Sequence, residues 1–236
     1  MLHRHIAMLI TFAALAGTVL VAIAKPQNSG NASLRYEFEE IGARLLKQPI
    51  TPAPFTLTDH LGNAYTRERL SGAWTVVFFG YTHCPDVCPT TLSTLTRVEE
   101  NFAGRGKPDR PKFVFVSVDP KRDLTATLKK YVTYFSPTLA AVTGEPRELR
   151  SLTQSLGSYY TYLDRQTRAS VNTDNGAGGD NYLVEHSSDL YVFAPDGKQI
   201  GLIFPPFEPE RLTQAISKFM QIKPYRHSRV GGNPEG

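Results

Sequence analysis

The stretch WTVVFFGYTHCPDVCPTTL, residues 74–92, contains the features that decide the fold class. Its first part, WTVVFFGY (residues 74–81), is a continuous apolar run typical of a strand that is buried on both faces of a sheet. The loop that follows holds Cys84 and Cys88, the only two cysteines of the chain. A helical pattern, TTLSTLTRVEENFA, comes next. The stretch therefore predicts a central strand, a cysteine loop at its carboxyl end and a helix.

The remainder of the chain continues this alternation of strands and helices. A second buried strand is predicted at KFVFVSVD, and a late hairpin at SDLYVFAPDGKQIGLIF turns at Asp196-Gly197. The other predicted elements are a helix at 34–48, a hairpin at 49–65 that turns at Gly62-Asn63, a helix at 124–135, a strand at 139–142, a helix at 146–157, a strand at 159–165 and a final amphipathic helix at 209–222. This order predicts an α/β sandwich with a central mixed sheet.

Four segments are predicted along the chain. Residues 1–24 form a membrane anchor, 25–48 a linker with a short helix, 49–222 the main globular domain, and 223–236 a disordered tail. Within the domain, the sequence RASVNTDNGAGGDN (residues 168–181) has almost no apolar residues and predicts a mobile loop.

The N-terminal segment predicts a location outside the cytoplasm. Residues 6–24, IAMLITFAALAGTVLVAIA, carry no charge and nearly match the hydrocarbon thickness of a bilayer, about 30 Å. Arg4 precedes them, which favours a single pass through the inner membrane with the soluble domain in the periplasm. Ala22-Ile23-Ala24 also fits a signal-peptide cleavage site, but the apolar run exceeds the usual signal core, so we expect an uncleaved anchor. Whether or not the segment is cleaved, the domain lies outside the cytoplasm, where a disulfide can persist.

The composition argues against one class of partner. The formal net charge is +4, and the chain has no dense run of Lys and Arg interleaved with aromatic residues. We therefore expect no nucleic-acid binding.

The cysteine pair predicts chemistry rather than a structural disulfide. Proline is well suited to the first turn of a helix, so Pro89 predicts a helix start that leaves Cys88 at or next to the N-cap. A helix N-terminus favours thiolates, which act both as nucleophiles and as metal ligands. A disulfide between Cys84 and Cys88 would close a very small loop and stabilise little. Redox chemistry and metal binding both remain open on this evidence.

Metal binding requires a third ligand, and His186 is the candidate. It follows the glycine-rich loop and precedes a strand, a position from which the chain can bring an imidazole over the cysteine loop. A lone histidine in such a place is more often structural, so the pattern alone does not assign it.

Three separated motifs, GYTHCPDVCPTTL, VSVDPKRD and YLVEHSSDLYVFAPDG, together resemble the Sco/SenC family. Members of this family are thioredoxin-like copper chaperones of cytochrome c oxidase assembly, and the resemblance covers residues 49–222. It implies a thioredoxin-like sandwich and Cys84, Cys88 and His186 as ligands of Cu(I) or Cu(II). It further implies that Asp119 and Asp86 lie around the ligands. Glu185 and the length of the glycine-rich stretch depart from the family pattern.

The resemblance also implies partners. The copper-accepting subunit of a cytochrome oxidase is the expected recipient of the ion. Other periplasmic copper chaperones are further candidate partners. The protein is then a binding and transfer module rather than an enzyme. The alternative is a thiol-disulfide reductase that uses a redox disulfide between Cys84 and Cys88 to keep a partner's metal-site cysteines reduced. A peroxidase is a weaker alternative, because no arginine is assigned to the cysteine site.

Overall fold

The computed structural model describes residues 29–106, 109–171 and 181–222. The predicted anchor (1–24), the core of the predicted mobile loop (172–180) and the predicted tail (223–236) lie outside these ranges. Within them, no helix is both long and apolar enough to cross a membrane.

Ten strands, five α-helices and a short 3-10 helix follow one another along the described residues. In chain order they are α1 (Ser29–Glu39), β1 (Ala43–Ile50), β2 (Thr56–Asp59), β3 (Ala64–Thr66), the 3-10 helix (Arg67–Leu70), β4 (Thr75–Gly80), α2 (Val87–Phe102), β5 (Lys112–Ser117), α3 (Thr125–Phe135), β6 (Ala140–Thr143), α4 (Pro146–Ser155), β7 (Tyr160–Asp164), β8 (Tyr182–His186), β9 (Leu190–Phe193), β10 (Gln199–Ile203) and α5 (Pro209–Met220).

Eight strands form one mixed sheet in the order β1-β10-β9-β4-β5-β6-β2-β3. Strands β4, β5 and β6 run parallel, whereas β9 is antiparallel to β4. Every residue of β4 is buried, as expected for a central strand with helices on both faces. The predicted α/β fold with a central mixed sheet is therefore confirmed.

Strands β7 and β8 form a separate two-stranded sheet, which we call the arm. Their register pairs Tyr160 with His186 and Asp164 with Tyr182. The arm has no strand pairing with the eight-stranded sheet, so side-chain contacts and the chain connections on either side of it must set its position.

The helix predicted over residues 34–48 is wrong in its second half. Helix α1 ends at Glu39, and residues 43–50 form β1, which pairs antiparallel with β10. Gly42 has a φ of 71°, a left-handed conformation that ends helices and suits glycine. The apolar spacing through Leu45 fits a helix, but pairing with β10 outweighs this local pattern. The segment predicted as linker and helix thus adds a strand to the sheet.

Helix α2 also begins earlier than the position of Pro89 predicts. It starts at Val87 with Asp86 as its N-cap, so Cys88 lies inside the first turn. Pro89 has no N–H group, but the helix loses no hydrogen bond there, because N–H groups of the first turn have no partner within the helix.

Candidate metal centre

The two cysteines lie at the carboxyl end of β4, where the chain enters α2. Cys84 lies in the connecting loop and its N–H donates to the carbonyl of Tyr81 at 3.3 Å. The N–H of Cys88 donates to Cys84 Sγ at 3.4 Å. Neither cysteine forms a disulfide; Cys84 is half-buried and Cys88 is buried. The start of α2 therefore directs a backbone donor at the more accessible sulfur.

His186, at the last position of β8, faces these sulfurs. Its Nε2 lies 3.7 Å from Cys88 Sγ, and its Nδ1 lies 3.0 Å from the carbonyl oxygen of Ser187. A carbonyl can only accept, so Nδ1 carries a proton, and in the neutral ring Nε2 is free to bind a metal. One ligand atom each from Cys84, Cys88 and His186 lies within 4.8 Å of the others. Residues about 100 positions apart thus converge on one point.

Tight packing holds Cys88 and His186 in place. The imidazole lies edge-on to the rings of Phe78 and Tyr81, each with its centroid 6.1 Å away. A Cβ added at Gly80 would lie 2.7 Å from Cys88 Sγ and 2.7 Å from Phe115 Cε2. The absence of a side chain at Gly80 therefore gives Cys88 its space.

The two thiols have opposite acidities. A hydrogen bond from the Cys88 side chain lowers the pKa of Cys84 to about 4, against the opposing effect of burial. His186 and the backbone N–H groups of Asp86 and Cys88 lower this pKa further. The same shared hydrogen bond raises the pKa of Cys88, as do its burial and the charge of Cys84. The pair at neutral pH is therefore one thiolate, Cys84, and one thiol, Cys88.

This asymmetry gives a prediction for the reduced, metal-free protein. The ultraviolet absorbance of the thiolate should titrate with a midpoint near pH 4, because the pKa of Cys84 is about 4. The Cys84→Ser variant should lose this transition. A first midpoint at the ordinary thiol value of about 8.5 would contradict the hydrogen-bonded pair.

Asp86 and Asp119, the acidic residues placed near the ligands by the family resemblance, differ in environment. Asp86 is exposed, and its side chain makes no capping hydrogen bond. Its contact with Cys84 is a hydrogen bond from the backbone N–H. Asp119 is fully buried, and its carboxylate accepts from Arg122 Nε at 2.5 Å and from the Tyr182 hydroxyl at 2.6 Å.

A neighbouring polar group, which the sequence did not suggest, supports the loop before Cys84. The buried carboxylate of Asp123 accepts from the N–H and hydroxyl of Thr82, at 2.8 and 2.6 Å, and from the Ser117 hydroxyl at 2.6 Å. Burial raises the pKa of Asp123 despite these bonds. Metal-ligating atoms of His83, Asp119 and Asp123 also lie within 4.8 Å of one another. Because the two carboxylates already bind protein donors, this group is best explained as a support for the loop.

A family model described as SCO1/SenC matches residues 44–221. The chain belongs to the SCO1/SenC family. The match begins within β1 and ends just after α5, so it includes the sheet, the arm and all three residues of the candidate centre.

Individual relatives agree with this assignment. A curated Arabidopsis thaliana protein, Protein SCO1 homolog 1, mitochondrial, is 32% identical over 177 residues, which is 73% of this chain and 47% of that protein. The chain thus spans about half the length of that relative. A crystal structure of Arabidopsis thaliana ScoI with copper bound superposes with a TM-score of 0.61 at 30% identity, covering 73% of this chain and 99% of that one. A structure of Bradyrhizobium japonicum ScoI with copper bound gives 0.59 at 34% identity, covering 71% and 98%.

Proposed function

We propose that this SCO1/SenC family member binds copper through Cys84, Cys88 and His186 and transfers it to the copper-accepting subunit of a cytochrome oxidase. The observation that carries the proposal is the convergence of two sulfurs and one imidazole nitrogen within 4.8 Å. Two solved structures that share the fold at 30% and 34% identity are Sco proteins with copper bound.

The donor set suits copper better than zinc. Thiolates are soft ligands that select Cu(I), and imidazole also suits copper. A structural zinc site takes four ligands, whereas the cluster of ligand atoms found among the described residues has three. A centre with few ligands, half-exposed at Cys84 and His186, also suits release of the ion by ligand exchange with an acceptor.

The proposal includes membrane attachment. The uncharged run at residues 6–24, with Arg4 before it, supports an inner-membrane anchor that leaves the copper-binding domain in the periplasm. Copper would then be delivered outside the cytoplasm, and periplasmic copper chaperones are the expected donors.

The role of His186 is tested by competition of the full chain, in detergent micelles, with a Cu(I) chelator of known affinity. We expect the wild type to bind one copper per chain and His186→Ala to bind about 100-fold more weakly, at the upper end of the cost of losing an outer-shell partner, because a direct ligand is lost while two sulfurs remain. A His60→Ala variant is the matched control, since His60 bonds to the backbone of Ala141 instead. Unchanged affinity in His186→Ala would contradict the three-ligand centre.

Thiol-disulfide reductase activity is the alternative use of the same cysteines. A thiolate at Cys84 beside a buried thiol at Cys88 is also an arrangement for disulfide exchange. Copper transfer and reduction of an oxidised acceptor are separated by measuring both with the His186→Ala variant. Loss of transfer with retained reduction supports the copper proposal, because the imidazole is a ligand for copper but only one of several groups that lower the pKa of Cys84.

A further inference from the structure

The arm that carries His186 is attached to the body of the protein by a polar cluster at its opposite end. Tyr182 and His186 are the first and last residues of β8, about 13 Å apart at about 3.3 Å per residue. Because side chains alternate along a strand, both lie on the same face of β8. Tyr182 is fully buried, so this face turns toward the body.

Asp119 and Arg122, in the connection after β5, hold Tyr182 in three ways. The Tyr182 hydroxyl donates to Asp119 Oδ1 at 2.6 Å, and Arg122 Nη1 donates to the Tyr182 carbonyl at 3.1 Å. The Arg122 guanidinium also lies 3.7 Å above the centre of the Tyr182 ring. Ring, hydroxyl and backbone of one residue are therefore all fixed to the same short connection.

The ion pair between Asp119 and Arg122 makes this cluster rigid. Arg122 Nε lies 2.5 Å from Asp119 Oδ2, and the two side chains are only 10% and 0% exposed. Buried charge-assisted hydrogen bonds are short and strongly directional. The carboxylate is occupied on both oxygens, by Arg122 and by Tyr182, so it serves the arm rather than a metal ion.

We infer that Asp119, Arg122 and Tyr182 form a clamp whose role is to position His186 against Cys84 and Cys88. The effect of the clamp on copper binding rests on the proposed function, whereas the attachment of the arm to the body does not. The arm shares no strand pairing with the main sheet, so the imidazole position depends on side-chain attachments such as this one. The clamp residues are thus positioning residues that act on the centre through β8.

Tyr182→Phe tests the clamp, since it removes one hydroxyl and keeps the ring beneath Arg122. Tyr159→Phe is the matched control: it makes the same change just before the arm, at a residue that is 56% exposed. In the metal-free full chain, amide hydrogen exchange of residues 182–186 should accelerate in Tyr182→Phe, with β4 and β5 unchanged. Exchange across 182–186 equal to that of the wild type would overturn the clamp, whatever the protein binds.

Copper affinity supplies the second measurement. Tyr182 acts on the centre from farther away than an outer-shell partner, whose loss costs about 10- to 100-fold in metal affinity, so Tyr182→Phe should weaken Cu(I) binding by about three- to tenfold, less than His186→Ala does. In a His186→Ala background the same change should have no further effect, because the clamp acts only through the imidazole. Equal losses in both backgrounds would overturn the positioning role. If the wild type bound no copper, the proposed function would fail, while hydrogen exchange would still decide the clamp.

Discussion

Replacing Cys88 with serine is expected to lower Cu(I) affinity by more than about 100-fold, a larger loss than removal of an outer-shell partner causes. Cys88 Sγ is the most enclosed atom of the proposed centre: the residue is fully buried, with His186 Nε2 at 3.7 Å. A serine hydroxyl is a hard ligand that stays protonated, so it replaces neither the charge nor the softness of a thiolate.

Chelator competition measures this loss, and Asp86→Asn is its control. Asp86 lies between the cysteines but is exposed, and its contact with Cys84 comes from the backbone N–H, which the substitution keeps. We expect its affinity to stay within about threefold of the wild type, well short of the cost of losing an outer-shell partner. Retention of wild-type affinity in Cys88→Ser would rule out a centre built on both sulfurs.

Gly80→Ala should damage both stability and copper binding, although Gly80 is not a ligand. The added Cβ would lie 2.7 Å from Cys88 Sγ and 2.7 Å from Phe115 Cε2. Both neighbours are fully buried, so neither can move away into solvent. Overpacking of this kind costs about 1–3 kcal/mol in the free energy of unfolding. Because the sulfur must shift, copper affinity should also fall by more than about tenfold.

Gly104→Ala is the matched control for this prediction, because a Cβ there meets no atom within 4 Å. Denaturant unfolding of the metal-free proteins and chelator competition of the loaded proteins give the two quantities separately. If Gly80→Ala matched Gly104→Ala in both, close packing of β4 against Cys88 would not matter to the site.

The strands near the centre could be predicted because their signals are local. The apolar run at residues 74–81 predicts β4, the Asp196-Gly197 turn predicts the β9–β10 hairpin, and both are confirmed. The segment at residues 43–50 was misread because its strand character depends on β10, which lies some 150 residues later in the chain. Local periodicity carries no information about such a distant partner.

The centre itself could be predicted only in part. Two cysteines beside a predicted helix start indicate reactive sulfurs, but the pattern left redox chemistry and metal binding open. His186 was a candidate by its position in the chain and was assigned as a ligand only by family resemblance, and its approach to Cys88 depends on how the arm is attached. The supporting residues Gly80, Asp123 and Tyr182 were missed, because close packing and buried hydrogen bonds between distant segments leave no periodic signal in the sequence.

X-ray absorption spectroscopy of the copper-loaded full chain tests the central claim most directly. The proposed centre predicts two sulfur scatterers and one imidazole nitrogen around each copper ion. In His186→Ala the imidazole contribution should disappear while both sulfurs remain. Copper coordinated only by nitrogen and oxygen in the wild type, or an imidazole signal that persists in His186→Ala, would contradict a centre formed by Cys84, Cys88 and His186.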